Sequence, residues 1–333
     1  SSSSAASDVY KRQFPASCFR SLWRFYPFCG LHAFKNPYFR STSPGWTHYF
    51  FYRNPLLYYP HLQPRKKKPM ITTKNLSFAY PGKSPVFRNL SLTFKNEFNV
   101  IIGPNAAGKS TFLKCLFHLL SPSGRFFYGN RDITNITLKE RIALMAYLPQ
   151  EEISSLNLTV FETVLLGRLP YLNWHITKED ASCVMKILET LHISHLAQTS
   201  FSSLSGGQQK LVSIAQTLVR KPKVLLMDEP TNSLDLQKQL ELCEIIKEIT
   251  RHHHIGFIVV LHDLNLAARF GDRVFVFDGN GGIYNQGSPE EVFTENLLKD
   301  VYGVHAEIRQ DQTGIPVIIP HMSVKTLHEH IPV

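Results

Sequence analysis

The sequence has 333 residues, is 43% hydrophobic, and carries 36 Lys+Arg against 26 Asp+Glu for a formal charge of +10. That length and apolar content suffice for one large core with a smaller subdomain. Residues 1–69 hold 11 of the basic residues and one acid, which leaves 25 of each sign for the rest, so charge does not point to a nucleic-acid-binding body. No apolar run of about eighteen residues or more occurs, so no transmembrane helix is expected. The aromatic stretches near the start are broken by Pro and Arg, so no secretory signal is expected either.

The first segment stands apart. It carries 17 of the 39 aromatic residues but only six Leu/Val and no Ile, too few for a periodic apolar face. It begins with a Ser-rich run and closes on Arg65-Lys66-Lys67-Lys68-Pro69, just before Met70, the first methionine. We expect Met70 to be the initiator and residues 1–69 to be a non-native or disordered extension. Ser1 to Gln13 resembles a translated cloning adapter. The rival reading is a basic aromatic tail that touches anionic lipid or RNA. Beyond this segment Cys115, Cys183 and Cys243 are far apart and lack metal-type spacing. They read as core or surface thiols in a reducing cytosol.

In chain order, Met70–Phe78 alternates apolar and polar residues as a strand does, and Tyr80-Pro81-Gly82-Lys83 is a turn. Val86–Phe94 is expected to form one further edge strand. Asn99–Ile102 is a short apolar strand, and Lys109–Leu120 carries Phe112, Leu113, Leu116, Leu119 and Leu120 at helical spacing. Residues 151–203 contain Thr159–Arg168 and Lys178–Leu191, both of helical character, and read as a helical subdomain. Val224–Met227 and Ile255–Leu261 are continuous apolar runs, as parallel strands buried on both faces require. Arg273–Phe277 is another strand. Ala306–Ile308 and Ile315–Ile319 flank Asp311-Gln312-Thr313-Gly314 as a hairpin. His252-His253-His254 reads as a solvated helix end rather than a metal site. No internal repeat is present.

Three motifs carry chemistry. Gly103-Pro104-Asn105-Ala106-Ala107-Gly108-Lys109-Ser110-Thr111 fits the phosphate-loop pattern between a strand and a helix. Its small residues let backbone N–H groups close around a phosphate chain at a helix N-terminus. Lys109 is placed for the β- and γ-phosphates and the Ser110 hydroxyl for Mg²⁺. Second, the run Val224–Met227 delivers Asp228 and Glu229 at a strand's C-terminal end, where open α/β sheets bind ligands. Asp228 suits Mg²⁺ ligation and Glu229 suits polarising the attacking water. Third, Leu204-Ser205-Gly206-Gly207-Gln208 is a second Gly-rich helix start able to face phosphate oxygens.

With these residues the chain resembles the ABC ATPases over roughly residues 70–320, leaving 321–333 as a tail. The resemblance implies an α/β fold: a P-loop NTPase cassette with a mainly parallel core sheet, an N-terminal antiparallel β subdomain and an inserted helical subdomain. It implies ATP and Mg²⁺ as ligands and a head-to-tail homodimer. In that dimer Ser205, Gly206, Gly207 and Gln208 close on the ATP held by the partner's loop. By the same resemblance Gln150 is the glutamine that senses Mg²⁺ and water, Asp235 belongs to the segment crossing the dimer interface, and His262 contacts the γ-phosphate. Tyr80 is the aromatic residue that stacks on adenine. Departures are Ala106, where the family often has Gly, and Gln209-Lys210 and Gln216, where it frequently has Arg. Ala106 must take a negative φ or be strained.

Leu158–Val164 followed by Gly167-Arg168-Leu169-Pro170-Tyr171, with Gly303-Val304 and Thr313-Gly314-Ile315-Pro316, is similar to the importer branch for iron–siderophore, haem or cobalamin chelates. The expected partners are integral-membrane permease subunits at the cytoplasmic face of the membrane and, indirectly, a substrate-binding protein; no nucleic acid is expected. The alternatives are an exporter or other-substrate importer ATPase, or a soluble ABC protein acting on ribosomes or nucleic acid.

Overall fold

The alternation that begins at Met70 produces a strand with one wet face, and the first layer of the molecule is built on it. The computed structural model describes residues 69–150, 157–171, 176–253 and 255–324. The expectations for the basic aromatic segment, for part of the 151–203 insertion, for His254 and for most of the tail lie outside the described residues. The elements below belong to the compact unit Lys66–Tyr171 with Lys178–Val333.

Strand β1 (Pro69–Ala79) pairs antiparallel with β2 (Pro85–Leu90) and with β3 (Thr93–Lys95). The single strand expected over 86–94 is therefore two. Asn89 takes a φ of 53°, and the Leu92 N–H turns away to the Thr73 hydroxyl at 3.0 Å, which breaks the ladder between them. Strand β4 (Phe98–Ile102) is buried along its whole length and leads through the Gly-rich loop into α1 (Lys109–Leu116). This helix stops short of the expected Leu120. His118 adopts a φ of 63°, which ends the helix and leaves Leu119 57% exposed, while Leu120 packs against the core from outside the helix. Strands β5 (Ser123–Tyr128) and β6 (Arg131–Asp132) complete a five-stranded antiparallel sheet on β1.

The remaining elements are α2 (Leu138–Leu144), β7 (Met145–Leu148), α3 (Val160–Leu166), α4 (Lys178–Thr190), α5 (Gly206–Leu218), β8 (Val224–Asp228) and α6 (Leu236–His253). They are followed by β9 (Gly256–Val260), α7 (Leu264–Phe270), β10 (Arg273–Phe277), β11 (Ile283–Gly287), α8 (Pro289–Val292), α9 (Glu295–Tyr302), β12 (Val304–Gln310) and β13 (Pro316–Ser323). The last strand runs beyond the 320 expected as the end of the cassette. Exposed His252 and His253 close α6 as a solvated end.

The central sheet has the order β11-β10-β4-β9-β8-β7, with only β11 antiparallel at its edge. Strands β4, β8 and β9 are buried throughout, which is why their sequences read as unbroken apolar runs. Because β4, β9 and β8 are neighbours, their C-terminal ends open side by side into one crevice. Helix α1 fixes the two sheets together. Phe112 meets Phe87 and Phe94 of the antiparallel layer at 6.0 Å and Phe277 of the central sheet at 5.4 Å, ring centre to ring centre. Each such buried ring contributes about 1.5–3 kcal/mol from burial alone.

The described part of the inserted subdomain is helical, as expected. Thr159 and Glu162 form a reciprocal cap on α3. Arg168 joins α3 to α4 through Asp180 at 2.7 Å, and Gln216 of α5 donates to the Thr163 carbonyl at 2.9 Å. Gln216 thus ties α5, whose start carries the Ser205–Gln208 motif, to the insertion.

Candidate nucleotide-binding and hydrolysis site

The loop between β4 and α1 is shaped by two glycines that no other residue replaces without movement. Gly103 has a φ of 146°, and a Cβ there would stand 2.6 Å from the Phe277 carbonyl oxygen. Gly108 has a φ of 87°, and a Cβ would meet Val86 Cγ1 at 2.5 Å. Between them Ala106 sits at a φ of 63°, so the departure from Gly is accommodated by the strained alternative rather than by a negative φ. Lys109 is buried, and its Nζ donates to the carbonyls of Gly103 and Pro104, each at 2.8 Å. Burial pulls its pKa below the ordinary lysine value, while the carboxylates of Glu229 and Asp228 act in the opposite direction.

The acids at the end of β8 meet this loop. The Ser110 hydroxyl donates to Asp228 Oδ1 at 2.8 Å, and the Tyr147 hydroxyl donates to Asp228 Oδ2 at 3.3 Å. Burial is the main cause that raises the Asp228 pKa; the Glu229 charge adds to the rise and the two hydroxyls oppose it. Among the described residues no group of three or more His, Cys, Asp and Glu side chains is arranged for a metal ion. The Ser110 hydroxyl and the Asp228 carboxylate are hard oxygen donors on one spot. Such a pair suits Mg²⁺, which takes one or two protein oxygens and completes its shell with substrate phosphates and water.

Glu229 is the hub of the site. It is 89% buried at the side chain by its 11% exposure, and it sits at a φ of 50°. Gln150 Nε2 donates to its Oε2 at 2.6 Å, Asn232 Nδ2 donates to the same oxygen, and His262 Nε2 contacts Oε1. Residues from the ends of β7, β8 and β9 therefore converge on one carboxylate. A carboxylate so held, beside a phosphate loop, is placed to orient and accept a proton from a water molecule.

The other residues singled out by sequence lie as follows. The Tyr80 hydroxyl shares a hydrogen bond with the Thr111 hydroxyl at 3.2 Å, which puts the half-buried ring beside the start of α1. Asn105 and Ala107 lie within the loop, Asn105 exposed and Ala107 buried. Ser205 and Gln208 form a reciprocal cap at the start of α5, with Ser205 and Gly206 exposed. Gln209 holds that start in place by donating to the Phe201 and Leu204 carbonyls, both at 3.2 Å. Asp235 caps α6, accepting the Lys238 N–H at 2.9 Å. The structure brings Lys109, Ser110, Asp228, Glu229, Gln150 and His262 into one constellation. It leaves Ser205–Gln208 and Asp235 on separate helix starts. Sequence reasoning missed Asn232 and gave Tyr147 no role. A polar side chain three residues after Glu229 was the available signal for the first; the second depends on a contact across 81 positions. A groove of about 730 Å³ between α4, the end of α5 and α6, lined by Lys178, Lys186, Lys221 and Lys223, shares no residue with this site.

A family profile described as ABC transporter matches residues 87–232. The petrobactin import ATP-binding protein FpuD of Bacillus anthracis is 36% identical over 256 residues, covering 75% of this chain and 93% of its own. The ferric enterobactin transport ATP-binding protein FepC of Escherichia coli K12 is 35% identical over 254 residues, covering 74% and 92%. Among solved structures, the ADP conformation of MJ1267, an ATP-binding cassette of an ABC transporter, superposes with a TM-score of 0.64 at 27% identity. That match covers 70% of this chain and 98% of the other.

Proposed function

The chain belongs to the ABC transporter ATP-binding family, and from that premise we propose that it powers the import of iron–siderophore, haem or related metal chelates through a separate membrane permease. It is an ATP-hydrolysing subunit. The observation that carries the hydrolytic assignment is the convergence of Gln150, Asn232 and His262 on Glu229 beside the Lys109 loop. The import reading is supported by the relatives named above, whose cargoes are petrobactin and ferric enterobactin.

In this reading the backbone N–H groups from Gly103 to Thr111 and the Lys109 ammonium bind the phosphate chain, and Tyr80 stacks on the base. Ser110 and Asp228, with Gln150 nearby, would hold Mg²⁺, which would supply positive charge to offset that of the phosphate chain. Glu229 takes the proton of the attacking water, and His262 holds the γ-phosphate side of that geometry. Gln150 lies two residues past β7 and directly before the inserted segment in sequence, so it is placed to relay the state of the site to that insertion.

A single chain offers one phosphate loop but two Gly-rich helix starts. Ser205 and Gln208 satisfy one another, while exposed Gly206 has open space around it, leaving that helix start accessible. This supports a homodimer in which each Ser205–Gln208 segment closes on the partner's nucleotide, with Asp235 near the crossing. Among the described residues no helix is long and apolar enough to cross a membrane. In this reading a permease holds the chain at the cytoplasmic face of the membrane, and a substrate-binding protein joins only indirectly. The segment from residue 70 through β13 serves as cassette, with about 151–203 as its inserted subdomain. The test is affinity purification of the tagged chain from solubilised source membranes with mass spectrometry of what accompanies it. A polytopic permease linked to a chelate-binding protein is the expected companion; recovery with ribosomes and no membrane protein would refute the transport role.

A further inference from the structure

Among the described residues strand β13 has one strand neighbour, β12, so its outer edge presents backbone groups that need other partners. At Ile318 that edge is met by a single side chain. Asn265 Oδ1 accepts the Ile318 N–H at 2.8 Å, and Asn265 Nδ2 donates to the Ile318 carbonyl at 3.2 Å. The amide thus completes the edge as a further strand residue would. Asn265 lies on α7, three residues after His262. Four residues on, along the same face of the helix, Arg269 pairs with Asp311 in the β12–β13 turn at 3.1 Å.

Helix α7 has seven residues, too few to be stable or to fix its direction alone. Its apolar side, Leu266, Ala267 and Phe270, packs inward, and Asn265 and Arg269 tie its outer side to the hairpin. His262 itself is partly exposed, 37% at the side chain. Its placement depends on the short bend between β9 and α7, where Asp263 caps the helix by accepting the Leu266 N–H at 2.9 Å. The same C-terminal region reaches the phosphate loop from another side, where the half-buried Tyr302 hydroxyl hydrogen-bonds the Gly103 backbone.

We infer that Asn265 is a positioning residue for ATP hydrolysis: by fastening α7 to the C-terminal hairpin it sets where His262 stands against Glu229. The inference rests on the roles of His262 and Glu229 given above. Nucleotide binding depends on the phosphate loop, so loss of this tie is felt in turnover. In the full chain, Asn265→Ala is expected to lower kcat about three- to tenfold with the ATP KM held within about twofold.

The decisive measurement is a double-mutant cycle with His262→Ala, with kcat referred to titrated nucleotide sites so that misfolding lowers site number rather than kcat. If Asn265 acts through His262, adding Asn265→Ala to His262→Ala changes kcat by less than about twofold. Asn265→Asp keeps the acceptor for the Ile318 N–H but sets an oxygen against its carbonyl, and is expected to fall between wild type and Asn265→Ala. A wild-type kcat for Asn265→Ala, a change confined to KM, or an equal loss in both backgrounds overturns the inference. A wild-type kcat for His262→Ala alone shows instead that the underlying assignment of His262 is wrong, and the inference falls with it.

Discussion

Glu229→Gln separates the chemical role of Glu229 from its structural one, because the surrounding donors dictate how the amide must sit. Gln150 Nε2 and Asn232 Nδ2 both donate to Oε2, so the amide oxygen has to remain there. The new NH₂ then faces His262 Nε2, which accepts it in its other tautomer. No contact is lost. Three charge-assisted bonds become neutral ones at a difference of about 1 kcal/mol each, offset in part because a carboxylate no longer lies buried beside Asp228. The fold and the phosphate loop are therefore expected to survive. Turnover is not: a general base contributes about 10²–10⁴-fold, or about 2.7–5.5 kcal/mol of barrier at about 1.36 kcal/mol per decade. Steady-state phosphate release should fall by about 10²-fold or more. Equilibrium titration with a fluorescent ATP analogue should give an affinity within about threefold of wild type. Hydrolysis within about threefold of wild type would remove Glu229 from the role of base. Loss of binding together with turnover would show that its carboxylate holds the site together instead.

Other substitutions test the remaining parts of the site. Lys109→Ala removes the ammonium proposed to bind the phosphates and leaves the Gly103 and Pro104 carbonyls without their donor; ATP affinity by the same titration should drop about tenfold to a hundredfold. Ala106→Gly relieves a left-handed residue at a cost of about 1–2 kcal/mol and adds chain entropy worth about 0.5–1 kcal/mol. Thermal melting should therefore show unchanged or slightly higher stability, with ATP binding intact. Asp228 has a folded pKa raised mainly by burial, so the native state binds protons more tightly than the unfolded chain. Stability contributed by this group accordingly falls as pH rises from the ordinary carboxylate range through the folded pKa, and the penalty persists above it. Asp228→Asn should melt higher than wild type near neutral pH, by a margin that shrinks on acidification, while losing Mg²⁺-dependent hydrolysis. Cys115 and Cys243 are buried, with thiols pushed up to about 12, so thiol reagents at neutral pH should leave both unmodified until the protein is unfolded.

What the sequence disclosed was local. The path from β4 through the Gly-rich loop to α1, the acids ending β8, and the Ser205 helix start each carry their meaning within about ten residues, as motif reading requires. Parallel strands buried on both faces announced themselves as apolar runs. Strands β5 and β7 did not: β5 mixes polar with apolar residues, and the four apolar residues of β7 are as compatible with a helix end. The break between β2 and β3 was hidden because it depends on Thr73 and Asn75, more than a dozen positions away, capturing the Leu92 N–H and the Ser91 hydroxyl. For the same reason the grip of Asn232 and Gln150 on Glu229, and of Tyr147 on Asp228, could be assembled only after folding.

Of the eight described non-glycine residues with positive φ, three lie at or beside the site, while others such as Asn89 and His118 shape turns elsewhere. Ala106, Glu229 and Ser233 all adopt positive φ without being glycine, at 63°, 50° and 64°. Each placement costs about 1–3 kcal/mol and persists only where the surroundings over-determine it. At Glu229 those surroundings are identifiable: the bend off β8 turns the carboxylate back toward Gln150, Asn232 and His262, and those three contacts hold it there. A relaxed backbone at this position would carry the side chain out of the crevice that β4, β9 and β8 open. Strain at Glu229 is thus what points this carboxylate at its three partners beside the phosphate loop, as the proposed role of base requires. Removing the three partners should let the bend relax before it disturbs the sheet beneath.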